Sequence, residues 1–188
     1  MTVGVLSFQG DFAEHMDVLA SMEVQAMEVR SLGDLKKVDA LIIPGGESTV
    51  MAKFLEEEKM SREIAARVKQ GMPILGTCAG AILLARKVMG KNSPKTLGLI
   101  DITVERNAYG TQHESFEALI KLKGKNIPVS FIRAPKITST GKNVEVLARF
   151  RGVPVLVRQG NVIAATFHTE VQNATALHKL LHQLRHIL

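Results

Sequence analysis

The segment Pro73-Ile74-Leu75-Gly76-Thr77-Cys78-Ala79-Gly80 limits the fold more than any other part of the chain. An apolar strand runs into Gly-x-Cys-x-Gly, and the apolar stretch Ala81-Ile82-Leu83-Leu84-Ala85 that follows reads as helix. Glycines at both ends of the pentapeptide permit a sharp strand-to-helix turn, which holds the apex side chain out at the carboxyl edge of a sheet. The same turn sets Cys78 at a helix N-terminus, where partial positive charge favours thiolate over thiol. A solitary cysteine is ordinarily an inert packing residue. The strand, turn and helix around this one point instead to a nucleophile.

A nucleophilic thiol needs a base, and the stretch Ala164-Ala165-Thr166-Phe167-His168-Thr169-Glu170 offers one. If a strand ends here, His168 and Glu170 project from the same face. The carboxylate then holds one imidazole nitrogen and leaves the other aimed at the thiol, which is the logic of a Cys-His-acid triad. A lone His-x-Glu is more often an ordinary strand end; the elbow upstream reverses that balance.

A third motif, Leu41-Ile42-Ile43-Pro44-Gly45-Gly46-Glu47-Ser48-Thr49, reads as a buried strand ending in a glycine loop. Ser48 is the expected N-cap of a helix starting near Thr49. A backbone N–H of the Gly45-Gly46 loop, with that of Ala79 just after the nucleophile, forms a candidate oxyanion hole.

These three motifs together resemble the class I, triad-type glutamine amidotransferases, and most closely the family of glutaminase subunits of pyridoxal 5'-phosphate synthase. Further matches are Gly4-Val5-Leu6-Ser7-Phe8-Gln9-Gly10-Asp11-Phe12-Ala13-Glu14-His15, Glu105-Arg106-Asn107-Ala108-Tyr109-Gly110 with Glu114-Ser115-Phe116, and Phe131-Ile132-Arg133-Ala134-Pro135. The resemblance implies an open, mostly parallel, flavodoxin-like α/β sheet with an antiparallel C-terminal extension, forming one domain over residues 1–188. It implies Cys78 as nucleophile, His168 as base then acid, Glu170 as the orienting carboxylate, and Gly45, Gly46 and Ala79 at the oxyanion hole. It further implies glutamine binding by Gly46, Glu47, Ser48, Arg106, Ile132 and Arg133, with Gln9 in a loop facing a synthase subunit. L-glutamine and that subunit, in a large hetero-oligomer, are the implied partners; no cofactor or metal is implied. The chain departs from the family pattern at Thr169, where proline is usual, and at Thr111-Gln112-His113. The proline would stiffen the link between His168 and Glu170, so Thr169 is expected to loosen it.

Other assignments fit less well. Cysteine peptidases and deglycase-like proteins place their histidine soon after the cysteine, whereas none follows Cys78 before His113. A glutaminase serving imidazole or nucleotide synthesis would lack Glu47-Ser48-Thr49 and Arg106-Asn107-Ala108. A catalytically silent subunit would not need an intact triad.

The rest of the chain alternates. Val3–Phe8, Val24–Val29, Ala40–Ile43 and Ile74–Gly76 read as strands. Phe12–Met22, Thr49–Glu58 and Arg62–Lys69, the last capped by Ser61, read as helices. Such alternation predicts a parallel sheet covered on both faces. Beyond residue 97, Val144–Phe150, Val153–Arg158 and Val162–Thr166 are short strands joined by Arg151-Gly152 and Gln159-Gly160-Asn161, the signature of an antiparallel meander. Residues 89–95 read as a loop.

In the last predicted helix, Ala174–Ile187, Leu177, Leu180, Leu181 and Leu184 share one face, and His178, His182 and His186 recur at i, i+4 and i+8. Two histidines a turn apart suit zinc, but Lys179 and Arg185 oppose a cation, so a solvated basic face is expected. Glu56-Glu57-Glu58 reads as an exposed helical edge, and Met16, Met22, Met51 and Met60 as core filler.

Net charge is +6 over 188 residues, divided as −6 in residues 1–60 and +12 beyond. The basic residues are scattered and only 4% of residues are aromatic, so the chain lacks the basic-aromatic interleaving of a nucleic-acid platform. No signal-peptide pattern opens the chain, and no apolar run approaches the roughly 18 residues of a membrane span. A catalytic thiol needs reducing surroundings. A cytoplasmic chain bound to neither membrane nor nucleic acid is expected.

Overall fold

Four-residue strands buried along their whole length need cover on both faces, and the computed structural model provides it. It describes residues 1–106 and 115–184. In chain order, β1 (Val3–Leu6), α1 (Phe12–Ser21), β2 (Ala26–Val29), α2 (Leu32–Leu35), β3 (Ala40–Ile43), α3 (Ser48–Glu57), α4 (Met60–Lys69) and β4 (Ile74–Thr77) build the alternating half. Next come α5 (Ala79–Leu84), β5 (Ala85–Met89), β6 (Ile100–Glu105), β7 (Phe116–Leu122), β8 (Lys125–Phe131) and β9 (Lys136–Thr140). The chain continues through β10 (Glu145–Phe150), β11 (Val153–Gln159), β12 (Val162–Ala165) and α6 (Ala176–Leu184).

Seven strands form the main sheet in the order β10-β11-β12-β4-β3-β1-β2. From β2 to β12 all neighbours run parallel, and β11 is antiparallel to both β12 and β10. The expected parallel half with an antiparallel extension is therefore present. Side-chain alternation divides the core between the two faces. Leu41, Ile43 and Ile74 pack with Met51, Leu55, Ile64 and Leu83, while Ala40, Ile42 and Leu75 face Leu19, Phe167, Leu177 and Leu181.

The turns behave as their residues dictate. Arg151 and Gly152 both adopt positive φ (49° and 81°), the primed geometry that matches the twist of paired strands. Lys123 and Gly124 repeat it between β7 and β8 (48° and 79°). That hairpin and a three-stranded sheet of β5, β6 and β9 were not anticipated, and Met89 ends a strand instead of opening a loop.

Four local expectations need correction. Ser48 is the first residue of α3, and the cap is Glu47, whose carboxylate accepts from the N–H groups of Thr49 and Val50. Ser61 lies inside α4, which starts at Met60 after a left-handed Lys59. The strand carrying Ala165 stops there, and Glu170 opens a short 3-10 turn, Glu170–Gln172. His178 is buried at 2% exposure, because α6 turns that side chain toward α1 and not to solvent. Of the methionines, Met51 and Met60 are in the core, while Met16 and Met22 are half-buried. Glu56, Glu57 and Glu58 are exposed as expected.

Candidate active site

β4 delivers Cys78 to the carboxyl edge of the sheet, and the elbow glycines make the delivery sterically feasible. A Cβ on Gly76 would lie 2.5 Å from the Gly80 carbonyl carbon, and one on Gly80 would lie 2.0 Å from the Ile43 carbonyl oxygen. Both contacts are with backbone, so strand, helix and the neighbouring β3 close up only without side chains there. Cys78 itself takes φ 49°, ψ −102°, a conformation costly for an L-residue and typical of functional apices. Its Sγ lies 3.6 Å from the Ile132 carbonyl oxygen.

His168 reaches the site by a different local route from the expected strand end. Its backbone pairs with Ser130 (N–H to O 2.8 Å and 2.9 Å in the two directions), which holds the chain beside β8 after β12 has ended. The chain then tightens, so that Glu170 Oε1 comes 2.7 Å from His168 Nδ1. Nδ1 is thereby committed and Nε2 is the nitrogen left for the thiol. His168 is 2% exposed and Glu170 1%. Burial alone would depress the imidazole, but hydrogen bonds and charge from Cys78 and Glu170 outweigh it and push the pKa up to about 10. Burial also opposes the Glu170 charge, yet His15 and His168 hold its carboxyl well below the usual range. The raised imidazole pKa lets His168 take and hold the Cys78 proton over the Glu170 carboxylate.

Thr169 has a definite role in that arrangement. Its N–H donates to Glu170 Oε2 at 2.9 Å, a bond that proline could not make. Its φ is −110°, outside the proline range. Thr169→Pro is therefore expected to slow glutamine hydrolysis roughly 10-fold, by loss of a charge-assisted hydrogen bond worth about 1.5 kcal/mol or more. Measured kcat for the two proteins decides this, and a faster proline variant would show that Thr169 loosens the site.

Gly45 passes under the imidazole: a Cβ there would lie 2.3 Å from His168 Cε1 and 2.5 Å from Asp11 Oδ2. Gly46 takes φ +149°, a conformation that L side chains rarely adopt. Glu47 Oε1 is 3.3 Å from Arg106 Nη2, and the Glu47 carbonyl accepts from Gln9 Nε2 at 2.9 Å. A cleft of about 370 Å³ joins these groups; Gln9, Gly46, Glu47, Ser48, Cys78, Ala79, Arg106, Ile132, Arg133 and His168 all line it. Every sequence-predicted site residue is thus at the cleft wall or, for Gly45 and Glu170, directly behind His168. Asn107-Ala108-Tyr109-Gly110, Thr111-Gln112-His113 and Glu114 lie outside the described residues, as do Arg185 and His186.

Sequence reasoning gave no role to Asp11, His15 and His178. Asp11 Oδ2 stands 3.4 Å from His168 Nδ1, and burial raises its pKa against the pull of His168. Among the described residues, Asp11, His168 and Glu170 bring donor atoms within 4.8 Å of one another. The proton shared on Nδ1 already occupies that space, and a cation there would displace what orients the imidazole. The available signal for His15 was its place one turn before Val18 and Leu19 on the buried face of α1.

Residues 5–184 match the SNO glutamine amidotransferase family. The chain belongs to that family. Relatives in sequence and in structure carry the likeness over nearly the whole length. Pyridoxal 5'-phosphate synthase subunit PdxT of Thermotoga petrophila is 47% identical over 182 residues, covering 95% of this chain and 96% of the relative. The subunit of the same description from Dehalococcoides mccartyi is 46% identical over 189 residues, covering 98% and 97%. A crystal structure of a glutamine amidotransferase, 44% identical, superposes with a TM-score of 0.92 over 97% of each chain. The PurLQS structure from Thermotoga maritima, 16% identical, shares the fold alone, with a TM-score of 0.75 over 97% of each chain. As an SNO-family glutamine amidotransferase, the chain has the class I fold that its motifs predicted.

Proposed function

We propose that this chain is the glutaminase subunit of a pyridoxal 5'-phosphate synthase, acting as one domain over residues 1–188. The observation that carries the chemistry is the 2.7 Å contact between His168 Nδ1 and Glu170 Oε1, beside a thiol held at a strained elbow. The relatives' shared description as synthase subunits supports the pathway.

His168 Nε2 takes the proton of Cys78 Sγ, a transfer that the raised imidazole pKa of about 10 favours. Cys78 Sγ attacks the side-chain amide carbon of L-glutamine, and the carbonyl electrons move to oxygen. N–H groups of the Gly45-Gly46 loop and of Ala79 receive the oxyanion; such donors contribute roughly 100- to 1000-fold each. Imidazolium Nε2 protonates the leaving nitrogen, the C–N bond breaks, and ammonia departs from a γ-glutamyl thioester. Neutral His168 then draws a proton from water, whose oxygen displaces the thiolate and yields glutamate. Glu47, Ser48, Arg106, Ile132 and Arg133 grip the amino-acid end, because an arginine and a carboxylate match a carboxylate and an ammonium. Arg106→Ala is expected to raise KM for glutamine about 10-fold or more while kcat falls less, which steady-state kinetics would show.

Gln9 connects the partner-facing loop to this grip through the Glu47 carbonyl. Docking of the synthase subunit there shifts Gly46 and completes the oxyanion hole, and ammonia passes to the synthase without release to solvent. Among the described residues, no helix is long and apolar enough to cross a membrane, and a cytoplasmic hetero-oligomer fits thiol chemistry. The test is release of ammonia and glutamate from L-glutamine, with and without a pyridoxal 5'-phosphate synthase subunit. Stimulation of 100-fold or more is expected; a rate indifferent to the partner would assign the glutaminase to another amidotransferase.

A further inference from the structure

The carboxylate of Glu170 has three donors around it, and they differ in where they come from. Thr169 N–H is the preceding residue and His168 is two residues back; both move with the segment that carries Glu170. Only His15, from α1, approaches from another element: its Nε2 lies 3.3 Å from Glu170 Oε1, with both side chains fully buried. The same nitrogen lies 3.1 Å from Oγ1 of Thr77, the residue directly before the nucleophile. On its far side, His15 Nδ1 meets His178 Nε2 at 2.9 Å.

We propose that His15 is a positioning residue for this glutaminase: it pins the Glu170 carboxylate to the strand that carries Cys78. The inference rests on the Cys78-His168-Glu170 reading of the site. A carboxylate beside Nε2 selects the form of His15 with its proton on that nitrogen, since a lone pair there would face negative charge. The Nε2–H then lies between Glu170 Oε1 and Thr77 Oγ1 and ties acid to elbow. The groups that face His15 are Thr77 from β4, Glu170 from the 3-10 turn, His178 from α6, and Asp11 by charge. Burial first, and then the charge of His15, push His178 down to about 3, so the outer imidazole stays neutral.

His15→Met keeps bulk and removes the donor, whereas His15→Gln returns an N–H near the position of Nε2. With the synthase subunit present, His15→Met is expected to lose 10- to 100-fold in kcat with KM for glutamine nearly unchanged. Its acid limb should move to higher pH, because Glu170 loses a group that favours its charged form. His15→Gln should recover most of the rate and the original limb. A folded His15→Met with wild-type kcat and acid limb overturns the proposal. Should the methionine variant not fold, nitrogen-15 histidine spectra of the wild-type enzyme decide: His15 protonated at Nε2 in the active pH range supports it, and an unprotonated Nε2 overturns it. Activity surviving Cys78→Ala would instead remove the triad reading itself, so the two failures are distinguishable.

Discussion

Replacing Cys78 with alanine is expected to cut ammonia release from glutamine by at least ~10,000-fold, since it removes the chain's single thiol and with it the thioester intermediate. The backbone at the apex is set by Gly76 and Gly80, whose missing side chains let β4, α5 and β3 close together. Alanine removes only Sγ, so the fold and the docking surface around Gln9 should persist. Binding of the synthase subunit is accordingly expected at near wild-type affinity. A second consequence is electrostatic. Cys78 supplies both a hydrogen bond and charge that raise His168, so the alanine variant should show the imidazole titrating well below 10, as proton NMR can follow. Unchanged hydrolysis would sink the assignment of the nucleophile. Lost hydrolysis with an unchanged His168 titration would keep the nucleophile but reject the contribution of Cys78 to the raised imidazole.

The elbow was legible because its information is local. Gly76, Cys78 and Gly80 sit within five residues, and their spacing alone dictates a sharp turn with an exposed apex. The tight turn Arg151-Gly152 was legible for the same reason. The His-x-Glu motif gave the right partners by the wrong path: the strand ends at Ala165, and pairing with Ser130 plus a 3-10 turn brings His168 and Glu170 together. Glu47 and Ser48 were confused as caps because both residue types offer an oxygen, and only the extended backbone of Glu47 decides between them. The His15–His178 contact spans 163 residues and depends on how α1 and α6 pack over β4. Helical spacing placed His178 opposite the leucines, but whether that face meets water is a tertiary fact.

Glu170→Gln is the second large effect, expected to lower kcat between ~100-fold and ~10,000-fold despite near-identical shape. The carboxylate accepts at both oxygens: His168 and His15 surround Oε1, and the Thr169 N–H points at Oε2. An amide cannot do this. With its oxygen at the Oε1 position, its NH2 meets the Thr169 N–H, donor against donor. Turned over, the NH2 faces His168 Nδ1 and drives the imidazole proton to Nε2, where it blocks acceptance from water in deacylation. Either arrangement leaves a buried donor unpaired, so folding stability should fall by about 1–3 kcal/mol at neutral pH. The pH dependence separates these terms. Because the folded pKa of Glu170 lies below its unfolded value, its contribution is present above about pH 4.5 and is lost as pH falls through the folded pKa. His168 has the opposite sign: its folded pKa near 10 gives stability that is complete below about pH 6.5 and lost as pH rises toward 10. Glu170→Gln should therefore flatten the acid side of a stability profile measured by denaturant unfolding. It should also weaken the alkaline side, because one of the two groups that hold His168 protonated is gone. A variant with wild-type slopes on both sides would show that Glu170 does not bear the charge on which the site depends.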